Sequence, residues 1–115
     1  MNDLDTLRNQ LRHFAAERDW DQFHSPKNLA AALSVEAAEL LEKFQWLTET
    51  DSQHLSAEAR EGVAQEVADV LLYLIRISDK LGIDMIAAAK AKIVLNALKY
   101  PVETARGNSK KYTAL

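Results

Sequence analysis

Residues 34–46 read SVEAAELLEKFQW, and how this stretch is buried decides the fold. Extended toward the N-terminus, it places Leu29, Leu33, Leu40 and Phe44 on one stripe at helical spacing. The helix must bury that face, yet Glu36 and Glu39 fall three residues apart at its margin. At about 100° per residue, Glu36 lies on the seam between the leucines and a polar edge. Glu39, Asn28, Ala32, Lys43 and Trp46 make up that edge.

A second segment, EVADVLLYLIR at 66–76, repeats the layout. Val63, Val70, Leu74 and Ile77 form its apolar side, while Asp69, Tyr73, Arg76 and Lys80 form the other edge. Each segment therefore carries an acid pair at i, i+3 on the core seam, with an aromatic one or more turns later.

Outward from these two segments, helical periodicity continues. Leu4, Leu7, Leu11 and Phe14 predict a first helix over about 3–18. After the break at DWDQFHSP, Ser25 as N-cap and Pro26 at the first helical position open the second, which is expected to reach Trp46. LTETDSQHLS reads as a polar loop, and a third helix is expected from Ala57 to Leu81, striped by Val63, Val70, Leu74, Ile77 and Leu81. Gly82 stands where a left-handed terminator belongs. Asp84 caps a fourth helix through Ile86, Ala89, Ile93 and Ala97 to about Tyr100, where Pro101 stops it. The tail VETARGNSKKYTAL has no clear period, and neither internal repeats nor low-complexity segments are present. The expectation is an all-α, four-helix bundle in one domain spanning 1–115. Such a short chain buries a limited core alone, so completion by oligomerisation is expected.

Composition narrows the function. A net charge of −3 argues against a nucleic-acid backbone binder, which shows a basic face. The absence of cysteine excludes disulfides and thiolate metal sites. The start MNDLDTLRNQLRHF has no basic region followed by an apolar run, so no signal peptide is expected. Nothing approaches the ~18 uninterrupted apolar residues of a membrane span. A soluble, cytoplasmic domain is expected, with neither nucleic acid nor membrane as partner.

Four carboxylates converging between two antiparallel helices repel one another at reduced dielectric. Protonation, pairing with Lys43, Arg76 and Lys80, or bound divalent cations would each relieve this. Oxygen-only ligands favour hard cations, Mg²⁺ or Mn²⁺, and the E-x-x-H pairs of carboxylate-bridged di-iron bundles are absent. Magnesium sites of this kind keep positions open for water and substrate phosphates, which points to metal-assisted hydrolysis of a phosphoanhydride. No G-x-x-x-x-G-K-[ST] loop is present, so phosphate binding of the P-loop kind is excluded.

The pattern E36-x-x-E39 with E66-x-x-D69 resembles the MazG-like all-α nucleoside triphosphate pyrophosphohydrolases. FAAERDWDQFHSPKNLA before the acids and NALKYPVETARGNSKKYT after them are similar to the dCTP pyrophosphatase branch, so the resemblance runs from Leu4 to Thr113. It implies cleavage of a nucleoside triphosphate to monophosphate and pyrophosphate. It also implies Mg²⁺ held by Glu36, Glu39, Glu66 and Asp69, and assembly as a dimer or tetramer whose sites draw on more than one subunit. One acid of the first pair helps activate water in such enzymes; Glu39 is the candidate, and the residues themselves do not separate it from Glu36. The loop TETDSQHLSAEA has no residue-by-residue counterpart.

A nucleobase needs a flat apolar slot. Trp20, Phe23, Trp46 and Tyr73 are the aromatics near the acid edges or in the loop feeding the second helix. The resemblance assigns Trp20, Asp21, Gln22, Phe23 and His24, with Trp46 and Tyr73, to substrate binding. His24 is read either as a partner of base or sugar or as a capping residue, while His13 and His54 are read as surface residues. Lys92, Asn96 and Lys99 share a helix face that spacing alone reads as solvated; the resemblance places Lys92, Asn96 and Tyr100 in the phosphate and sugar region. Arg106 and Lys111 are candidate cationic partners of a triphosphate. The expected activity is hydrolysis of dCTP or a 5-modified dCTP. Broad triphosphate or dUTP hydrolysis is the enzymatic alternative, and a non-catalytic helical adaptor is the alternative of another class.

Overall fold

The computed structural model describes residues 1–115 and is all-helical. It divides into two compact units, Met1–Gly82 and Ile83–Leu115.

In the first unit, α1 (Asp3–Glu17) opens with a capping box in which Asn2 and Asp5 satisfy each other's backbone donors. Asp19 then adopts φ 54°, a left-handed turn that Asp tolerates better than most residues. The turn feeds a single 3-10 turn at Asp21–Phe23. Helix α2 (Pro26–Glu42) starts as the Ser25–Pro26 pair predicts, with the Ser25 hydroxyl accepting from the Asn28 amide. It ends four residues before Trp46. Beyond Glu42 the amides of Lys43, Phe44 and Leu47 bond to carbonyls three residues back, so the chain tightens into turns instead of continuing the helix. The expected polar loop contains one helical turn, α3 (Glu49–Ser52), capped by Thr48. Helix α4 (Ala57–Leu81) has the expected bounds, set by the Ser56 cap and by Gly82 at φ 66°.

Helix α4 packs against both α1 and α2. Lys43, at the C-cap of α2, reaches Gly62, early in α4, while Glu36 meets Glu66, so α2 and α4 run antiparallel. Fully buried are Ala15, Leu29, Ile75 and, unusually, the charged Arg76. The predicted α4 stripe needs correction. Leu74 and Leu81 are exposed, and together with Val67 and Leu71 they form a second apolar stripe on the outer side. Val35 and Leu41 of α2 are likewise exposed. Packing against α1 as well as α2 rotates the buried sector of α4 toward Ile75 and Arg76, leaving these leucines without intrachain cover.

The second unit holds α5 (Met85–Lys99), capped by Asp84 as expected and closed by Tyr100–Pro101. The aperiodic tail contains α6 (Val102–Ala105) and a 3-10 turn at Tyr112–Ala114. Helix α5 buries no residue fully; Ile93 and Leu98 are exposed. No helix is long and apolar enough to cross a membrane.

The conformation of Gly82 supports a direct prediction. A Cβ there meets nothing within 4 Å, so the cost of Gly82→Ala is the left-handed backbone alone. The substitution is expected to destabilise by about 1 kcal/mol, lowering Tm by about 4 °C. An unchanged melting curve would show that the terminator does not constrain α4.

Candidate metal centre and base pocket

Helix α2 supplies Glu36 and Glu39 one turn apart, and antiparallel packing sets Glu66 of α4 against them. One carboxylate oxygen from each of the three lies within 4.8 Å of the others. Asp69 stands outside that group but close enough for its charge to act on Glu36 and Glu66. No ion pair joins any of the four acids to a basic side chain. Arg76 and Lys80, two of the expected neutralising partners, turn instead to Asp21. Lys43 acts on Glu66 only through its charge.

The consequence is a frustrated cluster. Glu36 is pushed from the ordinary 4.5 up to about 7, first by the Glu39 carboxyl beside it, then by burial, then by the charges of Glu39, Asp69 and Glu66. Glu66 is also raised, by burial and then by the charges of Glu39 and Asp69. One oxygen each of Glu36 and Glu66 (Oε2) is buried with no hydrogen-bond partner. Buried acceptors without donors are costly, and an all-oxygen set with unsatisfied lone pairs fits a hard divalent cation.

A pocket of about 210 Å³ adjoins the cluster, with Asp69 in its wall beside Leu11, Phe14, Trp20, His24, Tyr73 and Arg76. Trp20 meets Phe14 edge-on at 5.8 Å and His24 at 6.4 Å, so the aromatic surfaces are fixed relative to one another. Arg18 stacks over the Phe14 ring at 3.6 Å.

The structure thus brings Trp20, His24 and Tyr73 together with Asp69. The remaining predicted residues of the first unit stand elsewhere. Asp21 is held by Arg76 and Lys80, which keep its carboxyl below the usual range, Lys80 most strongly. The Gln22 amide bonds back to Asp19 and so closes the turn. Phe23 and Trp46 are exposed and line no part of the pocket. In the second unit, Lys92 and Asn96 are exposed on α5 and Arg106 and Lys111 are exposed beyond it, while Tyr100 packs edge-on against Tyr112 at 6.1 Å. Sequence reasoning missed the pocket roles of Leu11 and Phe14, read as plain core stripe, and of Arg76, read as a counter-charge to the acids. The only sequence signal for Arg76 was its position one turn after Tyr73 and two after Asp69.

The MazG-like family signature matches residues 31–115, which include all four acids. The chain belongs to the MazG-like family. Among MazG-like relatives, the dCTP pyrophosphatase 1 of Homo sapiens is 42% identical over 114 residues, covering 97% of this chain and 67% of the human protein. The Mus musculus protein of the same name is 40% identical over the same length. A crystal structure of a pyrophosphatase from Archaeoglobus fulgidus superposes with a TM-score of 0.79 at 40% identity, covering 88% of this chain and 94% of that one. The chain is therefore a MazG-like nucleoside triphosphate pyrophosphohydrolase in fold and family.

Proposed function

We propose that this protein hydrolyses dCTP, or a 5-modified dCTP, to the monophosphate and pyrophosphate, with Mg²⁺ or Mn²⁺ held by Glu36, Glu39, Glu66 and Asp69. The observation that carries the reading is the convergence of three carboxylates with two buried, partnerless oxygens beside an aromatic pocket. The names of the relatives supply the base.

When bound, the cation would neutralise triphosphate charge and acidify a water. The protein's own groups do the rest. Trp20 and Tyr73 provide flat surfaces for a pyrimidine, and His24 a polar contact at the base edge. Glu39 is the proposed acceptor of the water's proton as that water cleaves the phosphoanhydride between monophosphate and pyrophosphate. Glu36, raised to about 7, would hold its proton until a cation is bound. Lys92, Asn96, Tyr100, Arg106 and Lys111 are proposed as phosphate and sugar contacts, as their exposed cationic and donor groups suit. Asp21 and Gln22 are proposed to hold the turn that presents Trp20 and His24 to the base, and the exposed Phe23 and Trp46 to reach the base region of a partner subunit. The outer stripe of Val35, Leu41, Val67, Leu71 and Leu74 supports assembly as a homodimer or tetramer. The setting proposed is the cytoplasmic nucleotide pool, where the activity would remove unwanted cytidine nucleotides.

Turnover of dCTP, 5-methyl-dCTP, dUTP, dATP and GTP, measured in parallel with Mg²⁺, tests this. The cytidine nucleotides are expected to lead by at least tenfold in kcat/KM. Equal rates across purines and pyrimidines would replace the assignment with broad triphosphate hydrolysis. No phosphate release from any of them would leave the helical adaptor.

A further inference from the structure

Arg76 is the one charged residue that the fold buries, at 6% exposure. Its Nε donates to Nδ1 of His24 at 3.1 Å, and its Nη2 donates to Oδ1 of Asp21. Its Nη1 lies 3.7 Å from Oδ2 of Asp79. Both acids are shared, since Lys80 binds Asp21 and Arg12 grips Asp79 through Nε and Nη2. The Arg76 guanidinium therefore ties the loop at 19–24 to α4, while Arg12 joins α1 to the same Asp79, and none of this serves the carboxylate cluster. A buried arginine is tolerated when its charge is paired on each side, and its planar fork holds several acceptors in one fixed geometry.

The bond to His24 has a chemical consequence. An arginine Nε–H only donates, so His24 Nδ1 must be the acceptor and carry no proton. The proton of the neutral ring then sits on Nε2, the ring nitrogen left for the pocket. Edge contact from Trp20 holds the ring plane. Burial first, then the charges of Arg76 and Lys80, outweigh Asp21 and keep His24 below its ordinary pKa, so the ring is neutral at pH 7.

We infer that Arg76 is a positioning residue that locks His24 as its Nε2–H tautomer, giving the pocket a fixed hydrogen-bond donor toward N3 of the base that selects cytosine over uracil. This rests on the pocket being the base site proposed above. Cytosine presents an unprotonated N3 and O2 along one edge, both acceptors. Set against N3, the donor is accepted by cytosine but meets the N3 proton of uracil, so that both donors are left unsatisfied. A tautomer free to exchange would accept from uracil as readily as it donates to cytosine. Locking it turns a neutral contact into discrimination.

Arg76→Lys separates the lock from simple loop anchoring, because an ammonium keeps the charge beside Asp21 but has no fork to hold Nδ1 at the same time. In ¹⁵N-resolved NMR of the full-length protein, wild-type His24 is expected to show an unprotonated Nδ1 and a protonated Nε2. Arg76→Lys is expected to show the averaged signature of exchanging tautomers. The ratio of kcat/KM for dCTP to that for dUTP should fall about tenfold or more in Arg76→Lys, with the loss mostly in KM for dCTP. A protonated Nδ1 in the wild type overturns the lock, and this measurement needs no variant to fold. An unchanged dCTP:dUTP ratio in Arg76→Lys overturns the selectivity. If the wild type turns over neither nucleotide, the proposed function falls and takes the selectivity with it, while the His24 spectrum decides the lock by itself.

Discussion

Glu66→Ala is expected to lower Mg²⁺-dependent release of pyrophosphate from dCTP by about a thousandfold while the protein remains folded. Glu66 is the only acid from α4 within the 4.8 Å group, so its loss leaves α4 with Asp69 alone, which stands outside that group. A thousandfold corresponds to about 4 kcal/mol of transition-state stabilisation, the scale that metal neutralisation of a reacting phosphoryl oxygen provides. Folding should survive, because the removed oxygen is a buried acceptor without a partner, so truncation relieves a desolvation penalty rather than breaking a bond. Glu39→Ala is expected to behave alike. Steady-state kinetics with a far-ultraviolet circular dichroism spectrum and a thermal melt of each variant checks both halves. Retention of more than about a tenth of wild-type kcat in Glu66→Ala would remove this carboxylate from the reaction and favour an adaptor whose acids are surface charge.

The paired acids behind that prediction were readable from spacing, and the physical reason is local. An i, i+3 acid pair on a seam is a property of one helix, and the bounds of α4 are written in single residues, Ser56 as cap and Gly82 as terminator. Where the outcome depended on residues distant in the chain, reading the helices one at a time went astray. The wheel set Arg76 on the polar edge of α4. It is buried because Asp21, 55 positions earlier, folds back onto it through the Asp19 turn. Leu74 and Leu81 looked like core because periodicity reports that a helix has an apolar stripe, not which of two stripes is covered within the chain. The end of α2 was misplaced for a similar reason. Leu41, Phe44 and Trp46 continue an apolar rhythm, yet nothing in unit Met1–Gly82 covers Trp46, and the backbone turns after Glu42. The pocket's far wall, Leu11 and Phe14, was hidden by residues that do double duty as α1 packing and as aromatic lining.

Saturating Mg²⁺ is expected to raise Tm at pH 8 by about 10 °C, and Glu36→Gln to remove most of that gain while raising Tm in the cation-free protein. The sign follows from the acids. Glu36 has a folded-state pKa raised from 4.5 to about 7, and Glu66 is raised as well. A raised carboxyl contributes stability below its ordinary pKa and loses it as pH rises through the folded value. Without a divalent cation the cluster therefore destabilises the protein increasingly from about pH 5 to beyond pH 7. Other groups act elsewhere or oppositely. Asp21 and Asp79 are lowered by Lys80, Arg76 and Arg12, so their contribution is present above the ordinary carboxylate range and is lost only in acid. His24, held down by burial, adds stability as pH rises through its ordinary value of 6.5. Comparing wild type with Glu36→Gln cancels these terms, and the variant's Tm should fall less steeply from pH 6 to pH 8. A cation at a hundred times its Kd stabilises by about 2.7 kcal/mol, which at about 4 °C per kcal/mol for a chain of this size gives the expected rise. Differential scanning fluorimetry in EDTA and in Mg²⁺ across this pH range decides the matter. A wild-type Tm indifferent to Mg²⁺ at pH 8, or a Glu36→Gln profile parallel to wild type, would show that the clustered carboxylates are relieved by solvent and need no ion.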